Sequence, residues 1–293
     1  MYHSKNKFDI LLISLDKFLK KYHETGIYVA NLFCVVNSKQ DHFQMIDKSI
    51  QYGNFRFGVV NDKEVLEDTF RMRHEVYVQE FGFEKSEDHP NGLETDPYEN
   101  ESVHFACLNE NGSVVGTIRL VMDSDKGFPI EHAVQTNFVG EKPDRSKIGE
   151  ISRLTVSKDL RRRKEDGMYG VESYLMKKEG GVLPDDGTIP DEMKGRKNPI
   201  IVLGLYQVMY HESRRRGLSH WYMITEKKLF NALTKYGFVF HQIGEPVQYH
   251  GERIPYLGII DEIEKNLLND NPDMFKIMLT GLENEYHPPC FKN

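Results

Sequence analysis

The stretch that most constrains this chain is KIGEISRLTVSKDLRRRKEDGMYG, residues 147–170. Ile148, Ile151, Leu154, Thr155 and Val156 are the bulky, mostly β-branched residues that fit a buried pleated surface, so the run reads as a strand. Glu150 and Arg153 lie inside it, and charges in a buried strand are costly unless they pair, bind or react. Positions three apart face opposite sides of a regular sheet. The two can share a site only if a bulge re-aims one of them. Beyond the strand, Lys158, Arg161, Arg162, Arg163 and Lys164 follow in close order. The stretch therefore reads as a catalytic strand opening onto an anion-facing loop.

The rest of the chain supplies a mixed sheet around that strand. Phe55–Val60 reads as a strand, and Asn61 or Asp62 caps a helix from Lys63 to about Glu80. Arg73 sits on its apolar stripe with Leu66, Thr69, Phe70, Val76 and Tyr77, where a guanidinium either pairs structurally or serves a site. Residues 81–101 are rich in Gly, Pro, Asp and Glu and read as a loop, whose acidic residues would ordinarily be a solvated surface. Val103–Leu108 and Val114–Met122 form a hairpin around Asn111-Gly112, with Arg119 embedded in the second strand. A short helical or irregular stretch spans Pro129–Val139. A loop over residues 164–197 precedes a helix that Asn198 and Pro199 open and Gly217 ends. Strands then alternate with one short helix to Ile260, with His250-Gly251 at a bend, and a tail from Asp261 to Leu282 reads as helical. Residues 8–22 show helical spacing, and residues 26–36 are apolar without a motif. The expected architecture is α+β, a three-layer arrangement with helices on both faces of a mixed central sheet. One main domain covers residues 54–260, with an extension at 1–53 and a helical tail at 261–293.

The formal net charge of −7 and the absence of aromatics interleaved with the RRRK run argue against nucleic-acid binding. Local basic clusters on an acidic protein suit a specific acidic partner. Cys34, Cys107 and Cys290 are odd in number and have no ligand spacing, and His104, His220, His241 and His250 have none either. Reduced thiols, no catalytic metal and a cytoplasmic location are expected. No stretch reaches the roughly 20 apolar residues of a membrane span.

Four motifs in fixed order carry a family resemblance. They are R-x-x-x-Y at Arg73 and Tyr77 running into EVYVQEFGFE, GLETDPYENESVH at Gly92–His104, TIRL at Thr117–Leu120, and EISRLTV at Glu150–Val156. With the strand order, they resemble the GNAT (N-acetyltransferase) fold, and within it the acyl-homoserine-lactone (autoinducer) synthases, the N-acyl amino acid synthases and the exosortase-associated (PEP-CTERM) acyltransferases. That resemblance implies one site built from Arg73, Glu94, Asp96, Glu99, Arg119, Glu150 and Arg153. The family often has aspartate where this chain has Glu99. It further implies transfer of a fatty acyl group from a thioester to the amine of an amino acid or similar small molecule.

An amine attacks a thioester only when neutral, so a base and oxyanion donors are needed. Glu150 is the first candidate for the base, with Glu94 and Asp96 next, and backbone N–H groups freed by a bulge near residues 151–154 would serve the oxyanion. Ser152 has no evident His partner and reads as a hydrogen-bonding strand residue, so no covalent intermediate is expected. Acetyl-coenzyme A users hold the pyrophosphate on an Arg/Gln-x-x-Gly-x-Gly/Ala loop, and the nearest equivalent, Arg163 to Gly170, has the wrong spacing. The expected donor is therefore an acyl-carrier-protein thioester, or acyl-coenzyme A, contacted by Arg161, Arg162, Arg163 and Lys164, with no permanently bound cofactor. An acetyl-coenzyme A acetyltransferase and a non-catalytic acyl-binding protein are the competing readings.

Overall fold

The structure is a computed structural model and describes residues 46–137, 143–161, 198–249 and 251–291. The chain divides into two compact units, Met1–Gln44 and Met45–Asn293, and every described element belongs to the second. The expected helix at 8–22, the apolar 26–36, the 164–197 loop and His250 lie outside the described residues.

Nine strands are described: β1 (Ile46–Tyr52), β2 (Phe55–Val60), β3 (Ser102–Leu108), β4 (Val114–Met122), β5 (Ile148–Val156), β6 (His220–Thr225), β7 (His241–Gln242), β8 (Val247–Gln248) and β9 (Glu252–Ile259). They run in the order β1-β2-β3-β4-β5-β6-β9-β7, and β8 pairs with β9. Neighbours are antiparallel except β5 and β6, which are parallel. The helices are α1 (Lys63–His74), α2 (Pro129–Ala133), α3 (Asn198–Arg215), α4 (Lys227–Lys235), α5 (Ile260–Asp270) and α6 (Pro272–Leu279). A mixed sheet flanked by helices is thus the architecture, as the order of elements indicated.

Three elements differ from the sequence reading. The sheet begins before Gly53: β1 adds an edge strand whose Ile46 and Tyr52 are buried while the residues between them are mostly exposed. The helix capped by Asp62, whose carboxylate accepts from the Glu64 and Val65 N–H groups, keeps α geometry only to His74. Residues Glu75–Glu80 continue it as a π-helix, a widened turn that often accompanies functional sites. The tail is two helices, because Asn271 caps the Met274 N–H and Pro272, at the first helical position, cannot continue α5.

Core packing decides what is left for a site. α3 lies against β2–β5, and at Gly204 a Cβ would meet the Phe57 ring at 2.6 Å, so only glycine allows this close approach. Ile118, Leu120, Ile151, Leu154 and Val156 fill the space under α3. On the other face, Phe128, Ile130, Ile148, Tyr222, Ile243 and Leu257 form a second cluster around α2. Arg119, Glu150 and Ser152 belong to this second face by register, since Arg119 pairs with Ser152 and Val121 with Glu150. Among the described residues no helix is long and apolar enough to cross a membrane.

Candidate active site

The site grows from an irregularity in β5. Thr117 pairs with Thr155 and Arg119 with Ser152, so β5 uses three steps where β4 uses two and carries one extra residue. Arg153 lies in this bulge with φ +52°, left-handed backbone that a non-glycine residue rarely adopts. The bulge turns Arg153 toward the face that holds Glu150 and Ser152, the condition under which charges three apart can share a site.

Arg153 meets an acidic cluster from the loop after α1. Its Nε donates to Glu94 Oε1 at 2.9 Å, and its Nη2 lies 3.2 Å from Asp96 Oδ2. Arg73, from the buried stripe of α1, donates through Nε to Glu94 Oε2 and through Nη2 to Glu99 Oε1 at 2.7 Å. Arg119 donates through Nη1 to Asp96 Oδ1 at 2.7 Å and to Glu99 Oε1 at 2.9 Å, and its Nε donates to Ser152 Oγ at 2.9 Å. Three guanidiniums therefore interlock with three carboxylates, each of which bridges two arginines. Pairing on this scale is what burial of so many charges demands.

The network fixes protonation states. Burial pushes the Glu94 carboxyl up, but Arg153 and Arg73 more than offset it and hold it down at about 2. Asp96 and Glu99 are likewise lowered, by Arg119 and Arg73 acting against burial. All three are committed anions at neutral pH. His104, whose Nε2 lies 3.4 Å from Glu99, is pushed down to about 4 chiefly by burial, so it is neutral.

Glu150 is different. It is buried, and burial raises its pKa to about 8 although the Ile130 N–H donates to its Oε2 at 2.8 Å and Arg119 and Arg153 lie nearby. Its Oε1 has no hydrogen-bond partner among the described residues. That carboxyl is poised between acid and base near neutral pH while the neighbouring three are not.

Glu150 lines a cavity of about 90 Å³ that also takes in Arg119, Ser152, Arg153 and Tyr77. The cavity exists because the β5–β6 pairing stops at Ile151–Met223 while β5 runs on to Val156 and β6 pairs onward with β9. Past that point the two parallel strands splay. The gap is walled on the α3 side by Ile151, Leu154, Tyr206, Met223 and Leu229. Tyr77 stands at the bulge itself, its hydroxyl donating to the Leu154 carbonyl at 3.4 Å and its ring under the Arg153 guanidinium. Burial raises the Tyr77 pKa, so the phenol stays protonated.

Arg73, Tyr77, Glu94, Asp96, Glu99, Arg119, Ser152 and Arg153 are thus brought together, with Glu150 on the cavity wall. The basic stretch after β5 is not all of one kind. Arg161, expected to face a donor or carrier, is instead buried, donating to the Val156 carbonyl at 2.9 Å and to both Glu80 oxygens. Its guanidinium ties the end of β5 to the π-helix. Arg162, Arg163 and Lys164 lie outside the described residues. Arg253, Tyr249 and Thr225, which line the same cavity, had no signal in the sequence, since their place depends on how β9 pairs with β6. Among the described residues no three His, Cys, Asp or Glu side chains converge to hold a metal ion.

Residues 72–169, about a third of the chain, match the family model described as acetyltransferase (GNAT) domain. Solved structures with a similar arrangement include a CoA-dependent acyl-homoserine lactone synthase, BjaI, with SAM and isopentyl-CoA, at 19% identity and TM-score 0.47 over 74% of this chain and 81% of that one. FeeM, an N-acyl amino acid synthase from uncultured soil microbes, is 14% identical at TM-score 0.43, covering 72% and 93% of the two chains. A GNAT-family acetyltransferase from Staphylococcus aureus Mu50 is 12% identical at TM-score 0.37, over 70% and 99%. The segment that holds the bulge, the arginine–carboxylate network and Glu150 is a GNAT domain, and the chain that carries it is an acyltransferase by class.

Proposed function

We propose that this protein is an N-acyltransferase that moves a fatty acyl group from a carrier-protein or coenzyme A thioester to the amine of an amino acid or similar small molecule. The observation that carries the reading is Glu150, whose carboxyl is raised to about 8 by burial and lines the cavity at the splay of β5 and β6. An α-amino group titrates at about 8 as well, so a neutral amine and an ionised Glu150 coexist near that pH and Glu150 is free to take the one proton that amide formation releases. The amine nitrogen attacks the thioester carbonyl and a C–N bond forms as Glu150 accepts the amine proton. The oxyanion can accept from β5 N–H groups beyond Ile151, where no β6 residue stands opposite. On collapse the C–S bond breaks, and the thiolate takes the proton back from Glu150. The products are an amide and a free thiol.

The apolar wall of Ile151, Leu154, Tyr206, Met223 and Leu229 suits an acyl chain. Asp96, Glu99 and Arg119 hold Ser152, and with it the bulge, in position. The choice of an acyl carrier protein over coenzyme A rests on the sequence, where Arg163 to Gly170 lacks the spacing of a pyrophosphate loop, and implies a cytoplasmic enzyme. Calorimetric titration with acetyl-coenzyme A checks it, since tight binding would reverse the choice. The reaction itself is tested by mass spectrometry of lipid extracts from cells expressing the protein, the Glu150→Gln variant, or neither. An amide-linked acyl species found only with the unaltered protein supports the reading and identifies acceptor and chain. Equal amounts in all three cultures would overturn it.

A further inference from the structure

One oxygen of Glu150 is committed, and the group that commits it is the Ile130 N–H of α2, 2.8 Å from Oε2. α2 has five residues, too few to be a stable helix by itself. Pro129 at its start has no N–H, so Ile130 carries the first of the backbone donors that a helix cannot pair internally. Whether that donor stays on Glu150 depends on what holds α2 in place.

Two side chains hold it. The Glu131 carboxylate reaches back and accepts the Phe128 N–H at 3.0 Å through Oε2, which ties down the first turn. Arg145, in the short turn Arg145–Lys147 that leads into β5, grips the same carboxylate at both oxygens, Nη2 donating to Oε2 at 3.0 Å and Nη1 to Oε1. Its Nε donates to Asp123 Oδ1 at 3.1 Å, just past the end of β4, and its guanidinium lies over the Phe128 ring, 5.2 Å from the centroid. Gly127 leaves room for this grip: its φ is +70°, and a Cβ there would come within 2.8 Å of Glu131 Oε2. The end of β4, the start of β5 and the short helix between them are thus tied together, and the same helix carries the hydrogen bond to Glu150.

Charge runs through the same contacts. The Ile130 N–H favours the Glu150 anion, whereas the charge of the next residue, Glu131, opposes it. The other charged or titratable groups around Glu150 are Arg119 from β4, Arg153 in the bulge, Tyr222 from β6 and Tyr98 from the acidic loop. Burial raises both phenols, so they stay protonated near neutral pH. Arg119 and Arg153 are held by Asp96, Glu99 and Glu94. Glu131 is covered by a different cation, Arg145, from outside that network.

We propose that Arg145 and Glu131 are positioning residues for Glu150: their ion pair keeps the Ile130 N–H on Oε2, leaves Oε1 for the acceptor's proton, and screens the Glu131 charge from the carboxyl. This rests on Glu150 as the base of the proposed reaction and adds the residues that set the pH at which it works.

The test follows the Glu150 carboxyl by ¹³C NMR titration of the glutamate-labelled full chain, unaltered and as Arg145→Gln and Glu131→Gln. The two side chains are 37% and 24% exposed, so neither change opens the core. Arg145→Gln uncovers the Glu131 charge and loosens the donor, and should raise the midpoint by about 0.5 to 1 pH unit. Glu131→Gln removes the charge while its amide oxygen still accepts the Phe128 N–H, and should lower the midpoint by a similar amount. Simple loosening would admit water and move both variants down toward the ordinary value of about 4.3. Shifts of opposite sign in the stated directions support the inference, and any other pattern overturns it. Amide formation is assayed in the same proteins. The expected shifts in a protein that forms no amide would sink the acyltransferase reading and leave this inference standing. An unmoved Glu150 in variants that form amide would sink this one alone.

Discussion

Arg153 Nε lies 2.9 Å from Glu94 Oε1, a contact between residues 59 apart in sequence that requires Arg153 to sit in left-handed backbone at φ +52°. Strain of roughly 1–2 kcal/mol at one residue is thereby offset by neutralising a carboxylate that has no exposure at all. The bulge and the acidic loop specify each other.

Glu94→Gln should consequently be among the most destabilising single changes in the domain. Both Glu94 oxygens are occupied, one by Arg153 and one by Arg73, and the change leaves two buried cations short of charge. A loss of about 3–5 kcal/mol is expected in urea denaturation. A loss under about 1 kcal/mol would show that the network carries little of the fold.

Arg161→Ala should act on stability before it acts on the donor. The guanidinium is buried against Glu80 and the Val156 carbonyl, and removing hydrogen bonds to a charged group costs about 1.5–3 kcal/mol. A lowered Tm with unchanged KM for an acyl thioester is the expected pattern. The reverse pattern would return Arg161 to the donor-binding surface.

Glu264 makes stability depend on pH in an unusual direction. Burial raises its carboxyl to about 7, against the opposing effects of Arg214 and the Tyr210 hydroxyl, which donates to Oε1 at 2.8 Å. In the unfolded chain glutamate titrates at about 4.3, so between that pH and about 7 the folded state keeps a proton that the unfolded state has lost. Stability from this group is full below about pH 4 and declines as pH rises to about 7. Glu150, raised to about 8, has the same sign. Glu264→Gln should therefore gain relative to the unaltered protein on going from pH 5 to pH 8, by a few kcal/mol on the order of 1.4 per pH unit of separation. Urea midpoints of both proteins at the two pH values measure it, and a constant difference would mean that Glu264 titrates normally.

Much of the fold was legible because burial leaves marks on sequence. Glu150 and Arg153 stood out as charges in an apolar strand, and their spacing required a bulge that the β4–β5 register contains. Arg73 and Arg119 stood out in the same way. β1 did not, because an edge strand with only Ile46 and Tyr52 fully buried shows no run of apolar residues. The tail read as one helical stretch because its apolar spacing is continuous, whereas Asn271 and Pro272 divide it into two helices. Arg161 was grouped with its basic neighbours, and nothing local distinguishes it from them; only the packing of Glu80 does. Arg253 is set by pairing between distant strands, which no short motif encodes.

The central claim is that Glu150 can take a proton near neutral pH, and ¹³C NMR of glutamate-labelled protein measures it without any substrate. The carboxyl resonance missing from Glu150→Gln should titrate near pH 8 in the unaltered protein. If that resonance instead titrates near the ordinary value of about 4.3, Glu150 is a standing anion like its neighbours and the base must be sought elsewhere.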